Sequence, residues 1–230
     1  MEFLQNVIRI FIERKEFFIE ILLEHIMICS IAIGLIILIG LTVGILMTKS
    51  RVLAKIMLFL TSFLYTIPSI ALFGFFIAFT GIGNKTAIIV LILYGILPMV
   101  RNTYIGIKEV DEEVIEAAVA MGSSSWQLLY KIQLPLALPV IMTGIRTMVI
   151  MVISLTSIAS FIGAGGLGVA IYRGINTYNL ALTFAGSLLV ALLALFTDFI
   201  IGLLSRKLNK YISKDTKVSK IGEKQKYEKV

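Results

Sequence analysis

Five apolar runs, each about as long as a bilayer core requires, decide what this chain can become. They lie near Ile26–Met47, Ile56–Phe79, Thr86–Ile107, Leu136–Ile162 and Leu180–Leu204. A spanning helix takes about 20 predominantly apolar residues, and within lipid its backbone groups must find their partners inside the protein. The expected fold is therefore an all-α membrane bundle of five transmembrane helices. Composition agrees: 58% of the 230 residues are hydrophobic, 15% are charged and the mean hydropathy is +0.97, outside the range of soluble domains.

The polar segments between the runs give an orientation. Lys49, Arg51 and Lys55 follow the first run, Lys108 and Lys131 flank the loop before the fourth, and Arg206, Lys207 and Lys210 follow the fifth, whereas the alternate loops carry only Lys85 and Arg173. The positive-inside rule then puts the N-terminus outside and the C-terminus inside. The net charge of +7 is not a nucleic-acid signal, because nine of the 21 Lys and Arg residues lie beyond Leu204, beside a membrane span. Residues 1–24 mix acidic and basic side chains with Phe3, Leu4, Val7, Ile8 and Phe11 at near-helical spacing. They read as an interfacial segment rather than a signal peptide. A lone Cys29 excludes an intrachain disulfide or a cysteine metal cluster, and one His25 without an HExxH pattern excludes the usual metal-dependent hydrolase. No catalytic residue, metal ligand or cofactor is expected.

The longest polar interruption runs from about Lys108 to Lys131. Asp111, Glu112 and Glu113 open a first short helix with charge that complements its dipole. Ser123–Lys131 form a second, started by serine caps. Gly122 lies between them, where a positive φ allows a sharp turn, and Pro135 is expected to close the unit. The segment reads Glu116-Ala117-Ala118, three residues, Gly122, nine residues, Ile132-Gln133-Leu134-Pro135. That pattern resembles the EAA loop of ATP-binding cassette (ABC) importer permeases, with every fixed position filled. The resemblance implies that Glu116, Ala117, Ala118, Gly122, Ile132, Leu134 and Pro135 form a cytoplasmic coupling loop that docks into a groove on an ATP-binding subunit.

Further stretches, Tyr65–Leu72, Leu97–Tyr104, Leu134–Val140 and Phe161–Gly168, are similar to the osmoprotectant branch of these permeases, which imports glycine betaine, carnitine and choline. The resemblance covers roughly Glu20 to Leu208. It implies a MetI-like five-helix core in the bacterial cytoplasmic membrane, working with two ATP-binding subunits, a second permease subunit (this chain or a related one) and a separate extracytoplasmic substrate-binding protein. The implied organisation is an N-terminal segment 1–24, a permease domain 25–208 with its coupling loop at 108–135, and a basic cytoplasmic tail 209–230. Import of another small solute, such as an amino acid, is the alternative. A non-transporting membrane scaffold is the alternative from a different class.

Within the spans, Gly40 and Gly44 form a GxxxG pair suited to close helix packing. Pro68 and Pro98 imply kinks with freed carbonyls. Thr143, Thr147, Ser154 and Ser157 share one helical face, read first as a packing face. Tyr65, Pro68, Tyr94, Thr147 and Ser154 are candidates for a translocation path. Arg101, Arg146 and Asp198 are charges inside spans, where each needs protein, water or the interface; an Arg146–Asp198 pair is expected. The formal GxGxxG at Gly163–Gly168 follows no strand and has no acid about twenty residues on, so it is an outer loop rather than a dinucleotide site.

Overall fold

The computed structural model describes residues 2–227, with side chains through Leu208. The expected basic tail, 209–230, lies outside the described side chains. Helices dominate: α1 (Glu2–Glu13), α2 (Lys15–Lys49), α3 (Arg51–Thr66), α4 (Ser69–Thr80), α5 (Asn84–Lys108), α6 (Glu112–Ala120), α7 (Ser125–Gln127), α8 (Leu134–Ala159), α9 (Gly168–Asn176) and α10 (Leu180–Tyr227). Four stretches are long and apolar enough to cross a membrane, namely Lys15–Lys49, Asn84–Lys108, Ser125–Ile162 and Leu180–Leu208, and the α3–α4 pair makes a fifth if it counts as one span.

α5 lies at the centre, packed on α2 along one side and α8 along the other. Ile28, Ala32, Ile36, Leu91, Met99 and Met148 are buried in the core they share. The GxxxG pair brings α2 onto α5: a Cβ at Gly40 would fall 2.5 Å from Met99 Cγ, and one at Gly44 would fall 2.6 Å from Thr103 Cβ. Without side chains at these two positions the helices meet closely, which is how membrane helices gain packing energy when lipid competes for apolar contact.

Three expectations are corrected. The first spanning helix begins at Lys15, so a boundary at residue 24 falls inside α2. Phe18 and Ile21 supply its buried face while Glu16 and Glu20 stay exposed, which lets the helix start more than two turns before the apolar run. α1 does more than rest on an interface: Val7 is buried in a cluster with Phe18, Ala170 and Ala185, and Phe3 meets Phe184 edge-on at 5.5 Å. The second run is not one kinked helix but two, forming a broken span or a re-entrant pair. α3 and α4 meet at 99°, because Ile67 and Pro68 are both extended, with ψ of 129° and 132°. The Ile67 carbonyl at this break accepts the Tyr94 hydroxyl of α5.

Candidate functional site

At one end of the bundle the polar loop folds as its local chemistry dictates. Asp111 Oδ1 accepts the Glu113 N–H at 3.1 Å and starts α6. Gly122 takes φ +83° at its end, while the Gly122 and Ser123 amides donate to the carbonyls of Val119 and Ala118 at 2.9 and 3.1 Å, a glycine-terminated helix end. Ser124 and Gln127 then form a reciprocal capping box. Pro135 does not close the unit. A π-helical turn, Leu128–Gln133, leads directly into α8, and Pro135 occupies the first turn of that helix. The missing proline N–H is tolerated there, and the wider π turn gives the ring clearance. The second half of the polar loop and the fourth span are thus one helix, Ser125–Ile162.

The pattern residues divide by direction. Glu116, Ala117 and Gly122 are exposed. Ala118 is buried, so it packs against its own chain instead of presenting a small surface outward. Ile132, Leu134 and Pro135 are half-buried, with Leu134 set against the central core. Around the outward set lie Val119, Met121, Trp126 and Tyr130, large apolar side chains on an otherwise polar segment, with Met121 80% exposed. Trp126 stacks on Tyr130 at 5.4 Å and 5°, and Lys49 Nζ lies 4.9 Å from the Trp126 ring. That contact ties the end of α2 to the loop. Sequence reasoning passed over Trp126; the one available signal was the chain's only Trp, placed in its most polar loop.

Midway along the bundle the expected ion pair is present. Arg146 Nε and Nη2 donate to Asp198 Oδ1 and Oδ2, the second at 2.5 Å, a two-pronged guanidinium–carboxylate fork. The pair joins α8 to α10. Thr143, Thr147 and Ser154 lie on the exposed surface of α8, and only Ser157 is buried, so most of this polar face is not packed within the chain. Their hydroxyls donate to backbone carbonyls one turn back, at 3.0–3.1 Å. Arg101 is exposed and lines a cavity of about 340 Å³ with Tyr65, Pro98 and Asn102. The candidate path residues do not converge on one lining. Tyr65 and Tyr94 meet at 5.9 Å beside Pro68, but Tyr94 is buried and held by the Ile67 carbonyl.

The opposite end is built around the glycine loop. Gly165 N–H donates to Asn84 Oδ1 at 2.9 Å, Gly166 N–H to Glu24 Oε2 at 3.2 Å and Leu167 N–H to His25 Nδ1 at 3.2 Å. His25, one residue before the first apolar run, is fully buried beneath this loop. A Cβ at Gly165 would stand 1.8 Å from Glu24 Cδ, so glycine is needed for close approach. The 25 residues of α5, at 1.5 Å each, set this loop about 37 Å from the polar loop that begins after Lys108.

Comparison with known proteins follows this layout. Residues 36–210 match the family model of binding-protein-dependent transport system inner membrane components. A carnitine transport permease of Listeria monocytogenes is 40% identical over 80% of this chain and 85% of its own length. A glycine betaine/carnitine/choline permease of Bacillus subtilis is 37% identical over the same shares. An ergothioneine transport permease/ergothioneine binding protein of Helicobacter pylori is 44% identical over 71% of this chain, which spans only 30% of that longer protein. In fold, the chain superposes on the inward-facing methionine transporter MetNI with a TM-score of 0.75, 24% identity and coverage of 83% of this chain and 95% of the other.

Proposed function

The chain belongs to the family of binding-protein-dependent transport system inner membrane components, and from that premise we propose that it is the permease of an ATP-driven importer for small trimethylammonium solutes. Carnitine, glycine betaine, choline and ergothioneine, named for its relatives, differ in length and in the groups they carry. All four bear a quaternary trimethylammonium. The observation that carries the transport reading is the loop from Glu116 to Pro135, which puts Glu116, Ala117, Val119 and Met121 at the surface on α6 and Trp126 at the surface on the start of the helix that continues into a span. Such a surface suits the groove of an ATP-binding subunit, with two ATP-binding subunits and two permeases to a transporter and an extracytoplasmic binding protein delivering the solute. The polar face of α8, with Thr143, Thr147 and Ser154, then turns toward the second permease or the water between the two. Lipid would leave the Arg146–Asp198 pair poorly placed. ATP and the loaded binding protein shift access by binding the inward- and outward-open states unequally.

The test is ATPase stimulation in a reconstituted complex. Loaded binding protein is expected to stimulate the wild type, and Gly122→Asp, which places a side chain at φ +83°, is expected to abolish stimulation while leaving membrane insertion intact. A wild type that does not associate with an ATP-binding subunit overturns the importer reading. Stimulation by a receptor loaded with a solute lacking a trimethylammonium, and by no other, overturns the solute class.

A further inference from the structure

The outer end holds a cavity of about 570 Å³, lined among others by Glu24, Asn84, Gly165, Tyr172 and Arg173. That size falls in the usual range for small-molecule sites. Two opposite charges face it, yet among the described residues Glu24 and Arg173 form no ion pair with each other. Each is held by something neutral. The Glu24 carboxylate accepts the Asn84 side-chain amide at 3.3 Å and the Gly166 N–H at 3.2 Å, and the Arg173 guanidinium lies over the Phe17 ring at 5.2 Å. Tyr172, 40% exposed, stands edge-on to Phe161 at 5.1 Å, which fixes its ring. A fixed carboxylate, a fixed aromatic ring and a guanidinium with no anionic partner among the described residues, around one cavity, match a small dipolar ion with a quaternary ammonium at one end and a carboxylate at the other.

We propose that this cavity is a receiving subsite for a zwitterionic trimethylammonium solute, with Glu24 and the Tyr172 ring taking the ammonium and Arg173 the carboxylate; the assignment rests on the solute class proposed above. A quaternary ammonium has no N–H to donate, so it is recognised by ring faces and by nearby negative charge. A carboxylate suits the planar guanidinium fork. Glu16 and Glu20, exposed and at helical spacing below Glu24 on the same face of α2, extend the negative field away from the cavity and favour entry of the cationic end.

The rival occupant is a charged side chain of the binding protein, and kinetics separate the two. In proteoliposomes holding the permease, its ATP-binding subunit and binding protein, uptake of radiolabelled glycine betaine, carnitine or ergothioneine is followed, using whichever the wild type imports fastest. At saturating loaded binding protein, Tyr172→Leu and Arg173→Gln are each expected to slow uptake about fivefold, the scale of one lost cation–π or charged contact, and Tyr172→Phe to retain the wild-type rate. The binding-protein concentration that half-maximally stimulates ATPase is expected to stay unchanged. Unchanged uptake in Tyr172→Leu and Arg173→Gln, or a defect removed by more binding protein, overturns the subsite while leaving the importer intact. A wild type that imports choline but none of the three zwitterions overturns the subsite and leaves the solute class; one that imports none of the four overturns the class, and the subsite with it.

Discussion

Gly165 shows how one missing side chain can hold an arrangement of charges in place. A Cβ there would collide with the Glu24 carboxyl at 1.8 Å, so Gly165→Ala is expected to cost about 1–3 kcal/mol of overpacking and to lower the thermal midpoint of the detergent-solubilised protein. Gly34→Ala, with nothing within 4 Å of the added carbon, is expected to leave that midpoint unchanged; equal effects from the two would show that the glycine loop is not tightly built. The Arg146–Asp198 fork makes a second prediction. Arg146→Gln or Asp198→Asn alone is expected to reduce the folded yield in membranes, and the exchange Arg146→Asp with Asp198→Arg to restore it, read by monodisperse recovery in detergent. Failure of the exchange would mean that the surroundings, rather than the pair, fix the two charges. The pair was legible in the sequence because Asp198 is the only acid well inside a span and Arg146 needed a partner. The role of Glu24 was not. It sits among other charged residues at the start of α2, and its partners come from positions 60 and 142 residues further along the chain.

Among elements, those shaped by local chemistry were the readable ones. The Asp111 cap, the Gly122 turn and the close α2–α5 approach at Gly40 and Gly44 follow from residue type and spacing. A side chain at Gly44 has no room beside Thr103, so Gly44→Leu is expected to separate α2 from α5 and abolish folded recovery, whereas Leu at the exposed position Thr42 is expected to be harmless. Two elements escaped the sequence because their cause is distant or geometric. At the 99° break between α3 and α4, the Ile67 carbonyl accepts the Tyr94 hydroxyl, 27 residues away. The helix persists through Pro135 because a π turn precedes it, and backbone register of that kind leaves no mark in composition. It does make a prediction: one alanine inserted after Gln133 rotates everything before it by about 100° relative to α8. Membrane insertion should survive, and ATPase stimulation should be lost. Retained stimulation would mean that the loop docks independently of its helix.

For the whole molecule, the question is what the exposed polar face of α8 meets. Cys29 is buried, so an introduced thiol reports on its own surroundings. Thr147→Cys and Ser154→Cys in the assembled transporter are expected to react with a charged, water-soluble thiol reagent, or to be shielded from it until the subunits dissociate. Leu195→Cys and Phe199→Cys, on strongly exposed apolar positions of α10, should stay unreactive in either state. Reactive α10 thiols with inert α8 thiols in both states would reverse the assignment of lipid and water faces. The bundle also has a mechanical consequence. The helix Ser125–Ile162 runs 38 residues without a sharp bend, about 57 Å at 1.5 Å per residue. If it tilts as a stiff rod about its Trp126 end, each degree sweeps the far end sideways by about 1 Å. A few degrees of rocking at the coupling loop would then be enough to unseat the glycine loop from Glu24 and His25. In the proposed importer, the stroke that ATP binding must supply is a small angle, and the length of the rod turns it into displacement.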